Sequence, residues 1–140
     1  MMNLVPIVLD RLEQGGKAPI VFGDDYDTPP DGTCIRDYVH VLDLAHAHIA
    51  ALDYLRGGED RPHRVFNVGT GGEGGSSVLE VIDAIARAKG IEITPEIGPR
   101  RAGDPARLIC SGDRIAEILG WKSEHGLDDI VRSAVEAREA

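Results

Sequence analysis

The sequence predicts a single α/β domain, on three observations. Short apolar runs of strand length are interleaved with longer segments whose apolar residues recur every three to four positions. The chain has 140 residues, 42% of them hydrophobic, which is enough to bury one core. No repeat, linker or low-complexity tract divides it, so residues 1–140 read as one domain.

Each element follows from local chemistry. Leu4, Ile7, Val8, Arg11 and Leu12 recur at helical spacing, Pro6 is tolerated in the first turn, and Gly15-Gly16 closes the segment. "APIVFG" (18–23) reads as a buried strand, "DDYDTPPDGT" (24–33) as a loop of turn residues, and "CIRDYVHV" (34–41) as a second strand. Asp43 is the candidate N-cap of the helix "LAHAHIAALDYL", which puts Leu44, His48, Ala51, Leu52 and Leu55 on one face. A loop through Gly57-Gly58 and "EDRPH" leads to the strand "RVFNV" (64–68). Ser77 and Glu80 form a capping box, worth about 1 kcal/mol to a helix over 78–89, and Gly90 sits at its C′ position. Ile91, Ile93, Pro95 and Ile97 alternate as an edge strand that tolerates proline. An Arg-rich loop, "GPRRAGDPAR" (98–107), precedes the short apolar stretch "LIC". Ser111 is the expected cap of a helix that Gly120 ends, and "LDDIVRSAVEAREA" is a final amphipathic helix.

Composition excludes several function classes. A formal charge of -9 argues against nucleic acid as a partner, because phosphates favour an excess of Lys and Arg. No apolar run approaches the ~20 residues of a membrane span, and "MMNLVPIVLD" lacks the pattern of a signal peptide. Cys34 and Cys110 lie far apart without metal-type spacing, which points to a reducing compartment, so the expected location is cytoplasmic. His46 and His48, two apart on a helix, face different ways, and His40, His63 and His125 have no partner at ligand spacing. No metal site is expected. There is no nucleophile elbow, P-loop or Cys–His signature either.

Two loops invite a ligand. Gly69-Thr70-Gly71-Gly72-Glu73-Gly74 lies between a strand and a helix with the glycine spacing of a dinucleotide cradle. Glu73 sets a negative charge where a pyrophosphate would sit. Glu92 and Glu96 fall near the distance of the ribose-binding acid but in or beyond a proline-containing edge segment. A further Gly and two Ser lengthen the turn. NAD is therefore not expected at this loop. The second loop brings Arg100, Arg101 and Arg107 together, with Arg36 in a strand. Guanidinium groups grip a diphosphate bidentately, and they equally pair with surface acids; the chemistry alone leaves both readings open.

"NLVPIVLDRLEQGG", "IVFGDDYDTPPDGTCIRDYVHVLDLAHAHIAALDYL", "FNVGTG", "SVLEVIDAI" and "GPRRAGDPARLICSGDRIAEILGW" follow one another as in the C-terminal part of UDP-glucose 4-epimerases, which are extended short-chain dehydrogenase/reductase enzymes. The resemblance covers nearly the whole chain. It implies a small mixed α/β substrate lobe plus edge elements of an incomplete Rossmann-like sheet. The family's NAD-binding portion would be the N-terminal one, absent here, and "FNVGTG" would be a late strand of that sheet. The resemblance places uridine-diphosphate contacts on Asn3 and Leu4, Phe22 (beside the uracil), Arg36 and Arg101 (diphosphate) and Asp104 (ribose hydroxyls). Leu108 falls at the family's size gate for the sugar. The family's base is a tyrosine followed four residues later by lysine. Here Tyr26, Tyr38 and Tyr54 are followed at that distance by Pro30, Leu42 and Gly58, so no catalytic residue is assigned.

The resemblance thus implies a UDP-sugar ligand for a chain that, alone, is expected neither to bind NAD nor to interconvert UDP-glucose and UDP-galactose. A separate NAD-binding half is the implied partner. "YVHV", the helix after it and "FNV" are expected to leave an apolar face open to that half or to self-association. The alternatives are a stand-alone nucleotide-diphosphate-binding or interaction module, or a gene remnant.

Overall fold

The computed structural model describes residues 3–57, 63–70 and 75–139. Helix α1 (Leu4–Glu13) leads to β1 (Ile20–Phe22), β2 (Ile35–Arg36) and the long helix α2 (Val41–Arg56). After them come β3 (Ser76–Ser77), α3 (Val78–Lys89), β4 (Glu96–Gly98), β5 (Arg107–Leu108), α4 (Asp113–Leu119) and α5 (Leu127–Glu139). The fold is mixed α/β. β1 pairs in parallel with β4, with Val21 opposite Ile97. β2 is the centre of a second sheet, antiparallel to β3 and parallel to β5.

One core joins α1, α3, α5 and β1. Val8, Leu9, Val21, Val81, Ile82, Ile85 and Val131 are at most 2% exposed within it. Each such side chain contributes roughly 1.5–3 kcal/mol through burial. α3 owes its position to its start: the Ser77 hydroxyl accepts from the Glu80 N–H at 3.0 Å, and the Glu80 carboxylate accepts from the Ser77 N–H at 2.7 Å. Ser77 also donates to the Asp31 carboxylate, whose other oxygen accepts from the Thr33 N–H and hydroxyl. One capping residue thereby fastens the 24–33 loop to the helix. Gly90 ends α3 at φ +65°, in the left-handed region that a side chain disfavours.

The second core is small: Ala47, Ile115 and Trp121, with Val39, Phe66, Val68 and Leu119 against them. Here the structure departs from the sequence reading. α2 begins at Val41 and its cap is His40, whose Nδ1 accepts from the Leu42 N–H at 3.1 Å. Asp43, the expected cap, is instead buried in the first turn. The expected apolar face of α2 is the open one: Leu44, Leu52 and Leu55 are 41–59% exposed while Asp43 and Ala47 face inward.

The strands are shorter than the apolar runs suggest. The run 34–41 enters a ladder only at Ile35–Arg36, and the "RVFNV" segment enters none. β4 begins at Glu96, later than the alternation from Ile91 implies. The residue capping α4 is Gly112; Ser111, one position earlier, still accepts from the Asp113 N–H at 3.1 Å. Residues 71–74 of the glycine loop, and 58–62, lie outside the described residues.

Candidate functional site

Loop 98–107 folds back over β1 and β2, and between these elements and α1 lies a cleft of about 310 Å³. Leu4, Phe22, Arg36, Arg101 and Asp104 all line it, although Leu4 and Asp104 are a hundred residues apart in sequence. Five of the seven expected site residues thus share one cavity. Asn3 lines an adjoining apolar cleft of about 840 Å³, which shares Leu4, Arg36 and Tyr38 with the first. Leu108 lines neither cleft, is 61% exposed, and sits opposite Arg36 in the parallel β2–β5 register.

The cleft's polar groups are organised by their neighbours. The Arg36 guanidinium donates to the Ile35 carbonyl at 2.8 Å and pairs with Asp104 at 2.5 Å, both side chains being partly buried. The arginine expected at the diphosphate and the acid expected at the ribose therefore hold each other. Arg101 lies over the Phe22 ring, 3.7 Å from its centroid, an arrangement that keeps a delocalised cation at the cleft's lip. Tyr38 joins the wall. Burial, against the opposing pull of Arg36, pushes its phenol up to about 12, so it stays a protonated donor.

Other members of the arginine cluster face elsewhere. Arg100 pairs with Asp25 at 2.6 Å and covers the Tyr26 ring at 4.1 Å, pinning the 24–33 loop. Its hydrogen bond holds the exposed Asp25 carboxyl below the usual carboxylate range. Arg107 is exposed on β5. The wall also holds Arg11, Cys34 and Val78, which the sequence reading did not assign to a site. Helical periodicity had already placed Arg11 on the same α1 face as Leu4 and Ile7, and that was the available signal.

The described end of the glycine loop is closely packed against protein. A Cβ on Gly69 would meet Asp37 Oδ2 and Cys110 Sγ, each at 2.3 Å, so the space beside this glycine is filled by protein. Asp37 also accepts from the Thr70 hydroxyl at 2.6 Å and from its N–H. Burial pushes the Cys110 thiol up, and Asp37 adds to the effect. The absence of a side chain here lets Asp37 and Cys110 pack against the Gly69 backbone. Among the described residues, no group of three or more His, Cys, Asp or Glu is placed to hold a metal ion, and no helix is long and apolar enough to cross a membrane.

A model of the NAD dependent epimerase/dehydratase family matches residues 1–69. The chain is 45% identical over 123 residues to a UDP-glucose 4-epimerase of Corynebacterium glutamicum, covering 88% of this chain and 36% of that protein. It is also 45% identical over 134 residues to one from Lacticaseibacillus casei, covering 94% and 39%. A crystal structure of the Bifidobacterium longum UDP-glucose 4-epimerase in complex with NAD+ and UDP superposes with a TM-score of 0.86 at 42% identity, over 98% of this chain and 39% of that one. The UDP-Glc/GlcNAc 4-epimerase of Campylobacter jejuni gives 0.84 at 42%, over 97% and 40%. The chain spans about two-fifths of the length of these relatives.

Proposed function

We propose, from a chain that belongs to the epimerase family and matches only part of its UDP-glucose 4-epimerase relatives, that it is their C-terminal, UDP-sugar-binding portion. The observation that carries this reading is the single cleft on which Leu4, Phe22, Arg36, Arg101 and Asp104 converge. A nucleoside diphosphate suits its chemistry. An aromatic ring at one wall offers a face to a base, two guanidinium groups offer paired donors to a diphosphate, and a carboxylate accepts from sugar hydroxyls. Asn3, expected at the nucleotide, lines the adjoining cleft, and Leu108, expected at the size gate for the sugar, lines neither. Asp104 exchanges Arg36 for ribose hydroxyls as the diphosphate takes the arginine.

The chain supplies grip and no chemistry of its own. It has no tyrosine–lysine pair to take a proton from a sugar hydroxyl, and the room beside Gly69 is already occupied. No hydride or proton step is assigned to any residue here, because holding a substrate without a reacting group does not lower its barrier. NAD would be bound by the separate half. The exposed apolar side of α2 favours this partnered reading over a stand-alone binding module.

Two measurements test the proposal. In calorimetry, UDP should bind more tightly than NAD, with Kd on the order of mM (~4 kcal/mol). Arg101→Ala should cost about 1.5–3 kcal/mol of it by leaving the diphosphate short of a bidentate partner. In a coupled assay, the purified chain should not interconvert UDP-glucose and UDP-galactose, whereas mixing it with an NAD-binding half should restore turnover. Turnover by the chain alone, or NAD as the better ligand, would sink the assignment. A mixture that binds both ligands yet stays inactive would favour the stand-alone module.

A further inference from the structure

We propose that Arg100 is a positioning residue: without touching the ligand, its clasp on Asp25 and Tyr26 sets Arg101 over Phe22, and so sets how firmly the cleft holds a diphosphate. The inference rests on the reading of the cleft as a nucleoside-diphosphate site, and gives a task to an arginine that reading leaves outside it.

Residues 98–107 form a strap across the cleft, tied by backbone at both ends. The Gly23 N–H donates to the Gly98 carbonyl at 2.9 Å, where the β1–β4 pair ends. The Ile35 N–H donates to the Ala106 carbonyl at 2.8 Å, just before β5. Between these ties, side chains hold the strap. Arg101 and Asp104 line the cleft, and Arg100 does not. The Arg100 guanidinium is spent on the 24–33 loop instead. Its Nε donates to the Asp25 carboxylate at 2.6 Å, its Nη2 donates to the Asp25 carbonyl, and the group covers the Tyr26 ring at 4.1 Å.

The strap therefore lies along residues 22–26, with two neighbouring guanidinium groups over two rings: Arg101 on Phe22 and Arg100 on Tyr26. The approach is close. A Cβ on Gly23 would stand 2.6 Å from the Arg100 Cγ and 2.8 Å from the Tyr26 ring, so the bare Gly23 backbone is what lets the strap lie this near.

Arg101 has no comparable anchor. Among the described residues no carboxylate pairs with it, whereas Arg36 has Asp104 and Arg100 has Asp25. A cation over a ring face is held weakly at an exposed site, and a long side chain loses entropy when fixed. Consecutive side chains share a planar peptide, so fixing Arg100 outward fixes the direction from which Arg101 sets out. A donor placed before the ligand arrives binds more tightly, because less ordering remains to be done. The clasp is itself exposed, with side chains 45% and 71% accessible, which bounds its effect on binding to about fivefold.

The test is NMR on the isotope-labelled chain, Arg100→Ala and Arg100→Lys, first without ligand and then in titration with UDP, with thermal melts to establish folding. Arg101 side-chain protons lie over the Phe22 face, where the ring current shields them, so their resonances report its placement. In Arg100→Ala this upfield shift should collapse, and UDP affinity should fall by up to about fivefold. Arg100→Lys keeps the charge but replaces the fork with a point donor, so both readouts should move the same way and less far. That variant also carries the test if Arg100→Ala does not fold. A role confined to bracing the 24–33 loop would lower the melting temperature while leaving the Arg101 shift and UDP affinity unchanged, and would overturn the proposal. Affinity lost in Arg100→Ala yet fully kept in Arg100→Lys would assign the effect to charge alone and also overturn it. So would weaker binding with an unmoved Arg101 shift. If the unaltered chain binds no UDP, the nucleotide-site reading fails and takes this inference with it, a result distinct from UDP binding that Arg100→Ala leaves unaltered.

Discussion

The two apolar clusters of this molecule differ in what they complete. Around α3, every large apolar face finds a partner: α1, α5 and β1 close over Val81, Ile82 and Ile85 until almost nothing is exposed. Around α2, only one side is covered. Ala47 and Asp43 face α4 and the Trp121 loop, while Val41, Leu42, Leu44, Ile49, Leu52 and Leu55 are 41–70% exposed across the opposite arc. A helix apolar on both sides is normally buried on both. The neighbouring segment 64–68 carries strand-forming residues and joins no ladder, so its backbone also lacks the cover a sheet would give. One region is a finished core, and the other is half of one.

The contrast makes graded predictions. Ile82→Ala, in the finished core, should cost about 2–5 kcal/mol in denaturant unfolding, because its surroundings cannot collapse onto the cavity. A cost below 1 kcal/mol would mean that this core is looser than its burial shows.

The next effect belongs to the unfinished region, which is held by polar contacts more than by packing. Asp43 accepts from the His125 ring at 2.7 Å and from the N–H groups of Glu124 and His125, and its own carbonyl accepts from the Trp121 indole. Burial pushes the Asp43 carboxyl up, but these hydrogen bonds outweigh it and hold the group below its usual range. A depressed folded-state pKa means that the contribution is present above the unfolded value and fades as pH falls through the folded one. The loss therefore begins below about pH 4. Asp43→Asn should cost about 1–3 kcal/mol at neutral pH and flatten this acid limb. An unaltered acid limb would show that Asp43 does not anchor α2.

Ser77→Ala removes the cap of α3 and its tie to Asp31, and should cost about 1 kcal/mol by thermal melting. The smallest stability effect should come from Leu52→Ser, within about 0.5 kcal/mol. That substitution should nonetheless reduce hydrophobic-dye binding and self-association measured by sizing chromatography, since it breaks the exposed apolar face. A monomer without dye signal in the unaltered chain would remove the basis for a missing partner.

Legibility in the sequence follows the same division. Helix α3 could be read to the residue, since Ser77, Glu80 and Gly90 act within one turn of their positions. α1 was read equally well, and Arg36 and Arg101, expected together at a site, line one cleft. α2 was misread at its cap, and periodicity grouped its apolar residues on one face but could not say which side this chain covers. The strands were over-read for a related reason: an apolar run shows capacity to pair, while pairing requires a neighbour. Arg11 was legible as a helix-face residue, but its place in the cleft wall depends on a bond to Ala18 across the α1–β1 turn.

By itself, the sequence determined the local decisions: where helices start and stop, the α/β class, the acidic charge, and the likeness to an epimerase. Those are set by contacts a few residues apart or by motif. The tertiary structure alone decided which side of α2 is open, that Asp104 holds Arg36, and that Gly69 makes room for Asp37 and Cys110. It also decided that Leu4, Arg11, Phe22 and Arg101 line one cleft. Each of these joins residues dozens of positions apart or turns on how a turn folds back, and only chain closure around a shared core fixes such distances.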